Sequence, residues 1–185
     1  MNNVMLDLET MGTGPSAAII AIGAIEFDPE SNTLGRTFYQ NVNLVSSVAH
    51  GGVMDADTVM WWLQQSEAAR YALTNKHNTA ISIGSALIEF GQWLNYFRGC
   101  DGVDIKLWGN GSDFDNVVLR SAYERTGLIV PWNFRNNRCY RTLKNLFPDK
   151  KLLPPQEGTQ HNALDDARWQ AQHALNIFTS LKEQA

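Results

Sequence analysis

The stretch VMLDLETMG, residues 4–12, puts Asp7 and Glu9 at the end of an apolar run with one residue between them. Residues two apart on a strand point to the same face, about 7 Å apart along the backbone. Carboxylates so placed can grip one cation from two sides; the alternative is a turn-capping Asp7 beside a solvated Glu9. Further acids come later in the chain. In WGNGSDFDN, Asp115 follows a predicted strand and opens a helix, while Asp113 competes with it and has an alternative role as helix N-cap. In HNALDDA, His161 precedes Asp165 by four residues and Asp166 by five, so a helix that begins just after His161 brings one of the two acids to its side.

Carboxylates that converge in a low-dielectric site repel one another and raise each other's pKa unless divalent cations neutralise them. An all-oxygen donor set suits magnesium or manganese rather than zinc. A pair of such ions, roughly 4 Å apart, can clamp the attacking and leaving oxygens of a phosphoryl transfer. Histidine, with an ordinary pKa of about 6.5, suits the proton acceptor for the attacking water, which makes His161 the candidate base.

The elements that must position these groups follow from periodicity and turn signals. NVMLDL reads as a buried strand, AAIIAIGAIEFD as a second and GRTFYQNVNL as a third, together an antiparallel meander. Residues 57–74 are predicted as one helix, N-capped by Asp55 or Asp57, and residues 81–99 as another, carrying Phe90 and Phe97 and stopping at Gly99. DIKLWGNG is a fourth strand that runs through a Gly-rich turn into a helix ended by Gly127. A helix over 138–148, a Pro-containing loop and a long amphipathic helix from His161 complete an α/β domain with a mixed sheet, expected to span residues 1–185.

The chain has 185 residues with 44% hydrophobic and 18% charged content, which suits a globular domain with a substantial core. Its net charge of -4 argues against a non-specific nucleic-acid coat, so any contact with a polyanion needs local cations or bound metal. Cys100 and Cys139 are far apart and suit packing in a reducing compartment; His50, His77 and His173 read as structural. No basic leader opens the sequence and no run approaches the roughly 20 apolar residues of a membrane span, so a cytoplasmic location is expected.

Taken in order, DLET, NGSDFD and HNALDD resemble the three motifs of the DEDDh family of 3′-5′ exonucleases, whose fold is RNase H-like and whose members include RNase T, oligoribonuclease and proofreading subunits. The likeness spans residues 4–172, and VMWWLQQSEAAR, WGNGSDFDNVVLRSAYER and CYRTL look especially like phage and prophage exonucleases of the RNase AS and exodeoxyribonuclease VIII-like group. The resemblance implies that Asp7, Glu9, Asp115 and Asp166 ligate two magnesium or manganese ions and that His161 is the general base; Asp113 and Asp165 fall outside the pattern. It also implies release of 5′-mononucleotides from the 3′ end of single-stranded DNA or RNA, and makes a homodimer plausible. Many proofreading relatives carry Asp-Thr where this chain has Arg141-Thr142, so Arg141 is a candidate either for a phosphate contact or for pairing with an acid.

The resemblance places the residues after the first motif at the terminal nucleotide, which nominates Thr10, Met11 and the Gly12 backbone. Trp61 and Trp62 are adjacent on a helix, about 100° apart, so at most one faces a base, and both have a core alternative, as does Phe114. Arg135, Arg138 and Arg141 form a possible phosphate track or a solvated helix start. Two rival functions keep the same fold: a catalytically silent binding module and a nucleotide phosphohydrolase.

Overall fold

A computed structural model describes residues 1–74, 79–95, 104–155 and 157–184. A five-stranded sheet forms its centre: β1 Asn3–Thr10, β2 Ile19–Asp28, β3 Thr33–Asn41, β4 Lys106–Gly109 and β5 Asn137–Cys139. The strands lie in the order β3-β2-β1-β4-β5; β1, β2 and β3 form the antiparallel meander, and β4 and β5 continue it in parallel with β1. The helices are α1 Leu44–Ala49, α2 Ala56–Leu63, α3 Glu67–Thr74, α4 Ile83–Asn95, α5 Asp115–Thr126, α6 Tyr140–Leu146 and α7 Ala163–Glu183.

Strand alternation divides the core between the two faces of the sheet. Val4, Leu6 and Leu8 of β1 pack with Leu87 and Phe90 of α4 and with Val118 and Leu119 of α5. Met5 faces the other way and joins Ile25, Phe27 and the alanines Ala167, Ala171 and Ala174 of α7. Asp7 and Glu9 continue the Met5 side of the strand, so the face that seats α7 is also the face that carries the first two acids.

The approach of α7 is unusually close for a chemical reason. Asp7 is paired across the ladder with Gly23, and a Cβ built on Gly23 would stand 2.2 Å from the Ala163 carbonyl carbon and 2.3 Å from the Leu164 nitrogen. The missing side chain and the small residues along α7 let the first turn of the helix rest on the sheet backbone.

The structure differs from the periodicity reading where elements are short. The helix expected over 57–74 is two helices, because the Gln64 and Gln65 N–H groups turn back to the Trp61 and Trp62 carbonyls while Ser66 Oγ accepts the Ala69 N–H and starts α3 afresh. Asp55 holds the N-cap position of α2 without a capping bond; its carboxylate accepts the Thr13 N–H at 2.6 Å and so ties down the loop after β1. The helix expected over 138–148 begins instead with β5, and Cys139 Sγ accepts the Thr142 N–H at the start of α6. The helix α1, capped by Asn43, had no sequence counterpart. His77, Phe97, Gly99 and Cys100 lie outside the described residues.

Filling the Gly23 gap has a definite expected cost. Gly23→Ala overpacks the contact with α7, and overpacking of a close interface costs about 1–3 kcal/mol. The urea midpoint of this variant is expected to fall; an unchanged midpoint would show that α7 does not rest on the β2 backbone.

Candidate active site

The site forms where the sheet parts. Pairing of β4 with β1 runs only from Asn3–Lys106 to Met5–Trp108, after which β1 continues and β4 turns away into α5. A crevice at the carboxyl ends of neighbouring parallel strands is where α/β sheets hold ligands, and Asp7 and Glu9 stand on its wall. Glu9 is followed by a register shift that frees the chain to turn. On the opposite side a Cβ on Gly109 would meet Asn116 Oδ1 at 2.6 Å and Asp115 Cβ at 3.0 Å, so glycine there lets α5 begin directly against the strand. Asp115 is buried, and its Oδ2 accepts the Asn110 N–H at 2.9 Å across the turn.

The third segment enters with α7. Asn162 accepts the Leu164 and Asp165 N–H groups as N-cap, so the helix begins just after His161. His161 itself has φ 63°, a left-handed conformation outside the helix, and its N–H donates to Asp166 Oδ2 at 3.0 Å. Asp165 turns the other way and accepts the Thr159 N–H at 3.0 Å. The neighbouring acids thereby separate: Asp165 fastens the loop, and Asp166 reaches a point where its carboxylate oxygen, one from Asp7 and one from Glu9 lie within 4.8 Å of one another. Asp115 stands beside this trio; Asp113 is not part of it.

The electrostatics are those of crowded like charges. Burial, then the charges of Asp115, Glu9 and Asp166, hold the Asp7 carboxyl well above the usual range, with a hydrogen bond from Gln170 in partial opposition. Glu9 is pushed to about 8 by burial and then by Asp166 and Asp115. Asp115 rises to about 7 through burial, against backbone hydrogen bonds from Asn110 and Leu8 and the charge of Arg141. Asp166 is raised by burial, opposed by its bond from the His161 backbone. Glu9 Oε1 is buried without a hydrogen-bond partner, an orphaned hard-oxygen donor aimed among other carboxylates, and the trio can hold a divalent cation.

Two cavities meet at Leu8 and Glu9. One is polar, of about 500 Å³, and holds Asp7, Asp166, His161, Gln170 and Lys144. The other is more apolar, of about 450 Å³, with Thr10, Gly12, Trp61, Trp62 and Phe114 in its walls. The two tryptophans have different surroundings. Trp62 is buried and its Nε1 donates to the Thr10 carbonyl at 2.9 Å, whereas Trp61 is 42% exposed and sets its ring edge-on to that of His161, with centroids 4.9 Å apart. Thr10 Oγ1 donates to the Gly12 carbonyl at 2.7 Å and braces the turn, and Met11 packs against Ile20, Trp62 and Ala69.

Arg141 donates to the Asn110 carbonyl at 2.6 Å and so clamps the turn that bears Asp115. Arg138 is spent on the Arg135 and Asn137 carbonyls, and Arg135 lies over Phe134. His173 is buried against the Tyr140 hydroxyl, and His50 caps α1. Sequence reasoning missed Gln170, whose Nε2 donates to Asp7 Oδ1 at 2.8 Å. Its signal was available: it lies four residues after Asp166, on the same face of α7.

Comparisons with known proteins agree with this geometry. Residues 2–178 match the model of a family described as 3′-5′ exoribonuclease Rv2179c-like domain. An exodeoxyribonuclease of Enterobacteria phage T4 is 28% identical over 163 residues, which cover 77% of this chain and 70% of that protein. Among solved structures, the nuclease domain of 3′hExo, a DEDDh family member bound to rAMP, superposes with a TM-score of 0.64 at 17% identity, covering 96% of this chain and 92% of that one. The zinc-bound complex of E. coli ExoI with single-stranded DNA gives 0.63 at 14% identity, covering 98% of this chain and 41% of that one. S. pombe Pop2p in its Mg2+- and Mn2+-bound form gives 0.56 at 14% identity, covering 99% and 83%. These likenesses show an RNase H-like fold.

The raised carboxyl pKa values carry a sign for stability. Glu9 at about 8 and Asp115 at about 7 keep protons in the folded state that the unfolded chain, near its ordinary 4.5 and 3.8, has already released. The metal-free protein therefore loses stability as pH rises between about 5 and 8. Divalent ions remove that penalty, so the gain in melting temperature on adding manganese is expected to be larger at about pH 8 than at about pH 5.5. Thermal melts at the two pH values check this; an equal or reversed gain would contradict the account of repelling acids.

Proposed function

The chain belongs to the Rv2179c-like 3′-5′ exoribonuclease domain family, and from that premise we propose that it is a 3′-5′ exonuclease of the DEDDh type that hydrolyses the terminal phosphodiester of single-stranded DNA or RNA with the aid of divalent metal. The observation that carries this reading is the approach of the Asp7, Glu9 and Asp166 oxygens to within 4.8 Å, in a cavity they share with His161. The donor set fits magnesium or manganese, and Asp7, Glu9, Asp115 and Asp166 would hold two such ions. When bound, these supply charge neutralisation and polarisation of the scissile phosphate.

The protein's own groups do the remaining work. His161 lines the cavity on a loop fixed at both ends, by Asp165 at Thr159 and by Asp166 at its own N–H, and takes the proton of the attacking water on its imidazole. Gln170 holds Asp7 by one oxygen and leaves the other for a cation. The terminal base enters the apolar cavity, where the exposed Trp61 offers a stacking surface, Trp62 anchors the Thr10 backbone, and Met11 supports the wall from behind. The Gly12 backbone lines the same pocket, and Arg141 keeps the Asp115 turn in register. Attack at the phosphorus expels the upstream 3′ oxygen and releases a 5′-mononucleotide.

The reading extends to one catalytic domain over residues 1–185, a cytoplasmic location and a homodimer. Among the described residues no helix is long and apolar enough to cross a membrane. End-labelled single-stranded DNA and RNA oligomers with manganese are expected to shorten from the 3′ end as a ladder. Loss of a positioned proton acceptor costs about a hundredfold or more, so His161→Ala should remove at least that much of the rate, and Asp7→Asn, which takes a carboxylate from the metal-holding set, should abolish the ladder, both with the fold retained by circular dichroism. Hydrolysis of free nucleotides without a ladder would favour a phosphohydrolase, and an active His161→Ala protein would take the base role from His161.

A further inference from the structure

The polar cavity holds a cation that the proposed chemistry leaves unused. Lys144, on α6, lines the cavity with Asp7, Glu9 and His161 and is half-buried. Its Nζ donates to Asn110 Oδ1 at 3.2 Å and lies 5.3 Å from the centroid of the Tyr140 ring. Among the described residues no carboxylate pairs with it. A half-buried ammonium that has given up water for one amide oxygen and a ring face is only partly compensated and has room for an anion. Asn110 also receives Arg141, which donates to its carbonyl at 2.6 Å, so one turn residue seats two cations at one end of the cleft.

The layout of the two cavities says which anion this is. They meet at Leu8 and Glu9, with the apolar one on the Trp61 side and the polar one on the Lys144 side. This step rests on the exonuclease reading: the terminal base sits on the Trp61 side and the scissile phosphate lies over the carboxylates. The rest of the strand then leaves through the polar cavity. The first anionic group beyond the scissile bond is the phosphate on the 5′ side of the penultimate nucleoside.

We propose that Lys144, seated by Asn110 beside Arg141, binds this upstream phosphate and makes oligonucleotides that carry it, rather than dinucleoside monophosphates, the preferred substrate class. A flexible ammonium with spare donors suits a phosphate oxygen, and the Asn110 side-chain oxygen takes one of those donors. Lys144 is then a specificity residue outside the chemical step.

The test compares three substrates that differ only in what lies upstream of the scissile bond: thymidine 5′-(p-nitrophenyl phosphate), a dinucleotide with a 5′-hydroxyl, and the same dinucleotide with a 5′-phosphate, the last two in ribo and deoxy forms. Wild type is expected to show a lower KM for the 5′-phosphorylated dinucleotide than for its 5′-hydroxyl form. A hydrogen bond between charged groups is worth about tenfold or more in binding, so Lys144→Met should raise that KM by about this factor. It should leave kcat and hydrolysis of the nitrophenyl ester unchanged, and Lys144→Arg should restore part of the loss. Equal KM values for the two dinucleotides in wild type would overturn the subsite while leaving the exonuclease reading intact. So would a Lys144→Met defect of the same size on all three substrates, which would make Lys144 a counter-charge to the acids. Absence of hydrolysis of every substrate by wild type would overturn both.

Discussion

Repulsion among carboxylates is the constraint around which this protein is built. Asp7, Glu9, Asp115 and Asp166 come from three separate segments, and each is held above its ordinary pKa by burial. Left to themselves, such groups would splay into water or drive the segments apart. They stay together because each is fixed through backbone and packing contacts elsewhere: the first two on a central strand that stays paired with β2 at Gly23 and Ala21, Asp115 by the Asn110 amide, and Asp166 by the His161 amide. The fold supplies the work needed to concentrate negative charge, and under the proposed function a divalent cation returns it.

That work depends on distance, and backbone contact sets the distance. An ordinary helix on a sheet leaves room for two layers of side chains, which would hold Asp166 too far from β1. Gly23 and the alanines of α7 remove both layers at the point opposite Asp7, and Gly109 does the same where α5 meets β4. Small residues at these positions therefore belong to the site as much as the acids do. Gln170 shows the same coupling: its amide both packs α7 on the sheet and orients Asp7.

Much of this was legible in the sequence, and the rest was hidden for identifiable reasons. The shared face of Asp7 and Glu9 follows from strand alternation, and the strand-turn-helix step announces Asp115. The choice between Asp165 and Asp166 was not legible from helical geometry, because four and five residues from His161 describe neighbouring positions. It is decided by His161 lying outside the helix at φ 63°, which leaves Asp165 facing the loop and Asp166 facing the cleft. The strand β5 and the helix α1 are too short to show a period. The break inside 57–74 turns on Ser66, whose hydroxyl competes for a backbone N–H as serine does in any helix start. Lys144 had no pattern at all; only the turn at Asn110 brings it to the cleft.

A chain of net charge -4 that acts on a polyanion must separate its charges in space rather than in total. Here the acids occupy the floor of the cleft, where under the proposed function metal cancels them, and the cations stand at its edge on Asn110. The opposite end is more apolar and aromatic, with Trp61 exposed and Phe114 in the same wall, and Asp57 is the charged side chain it adds to Glu9. Under the proposed function a strand end meets apolar surface first, the acid cluster next and cations last.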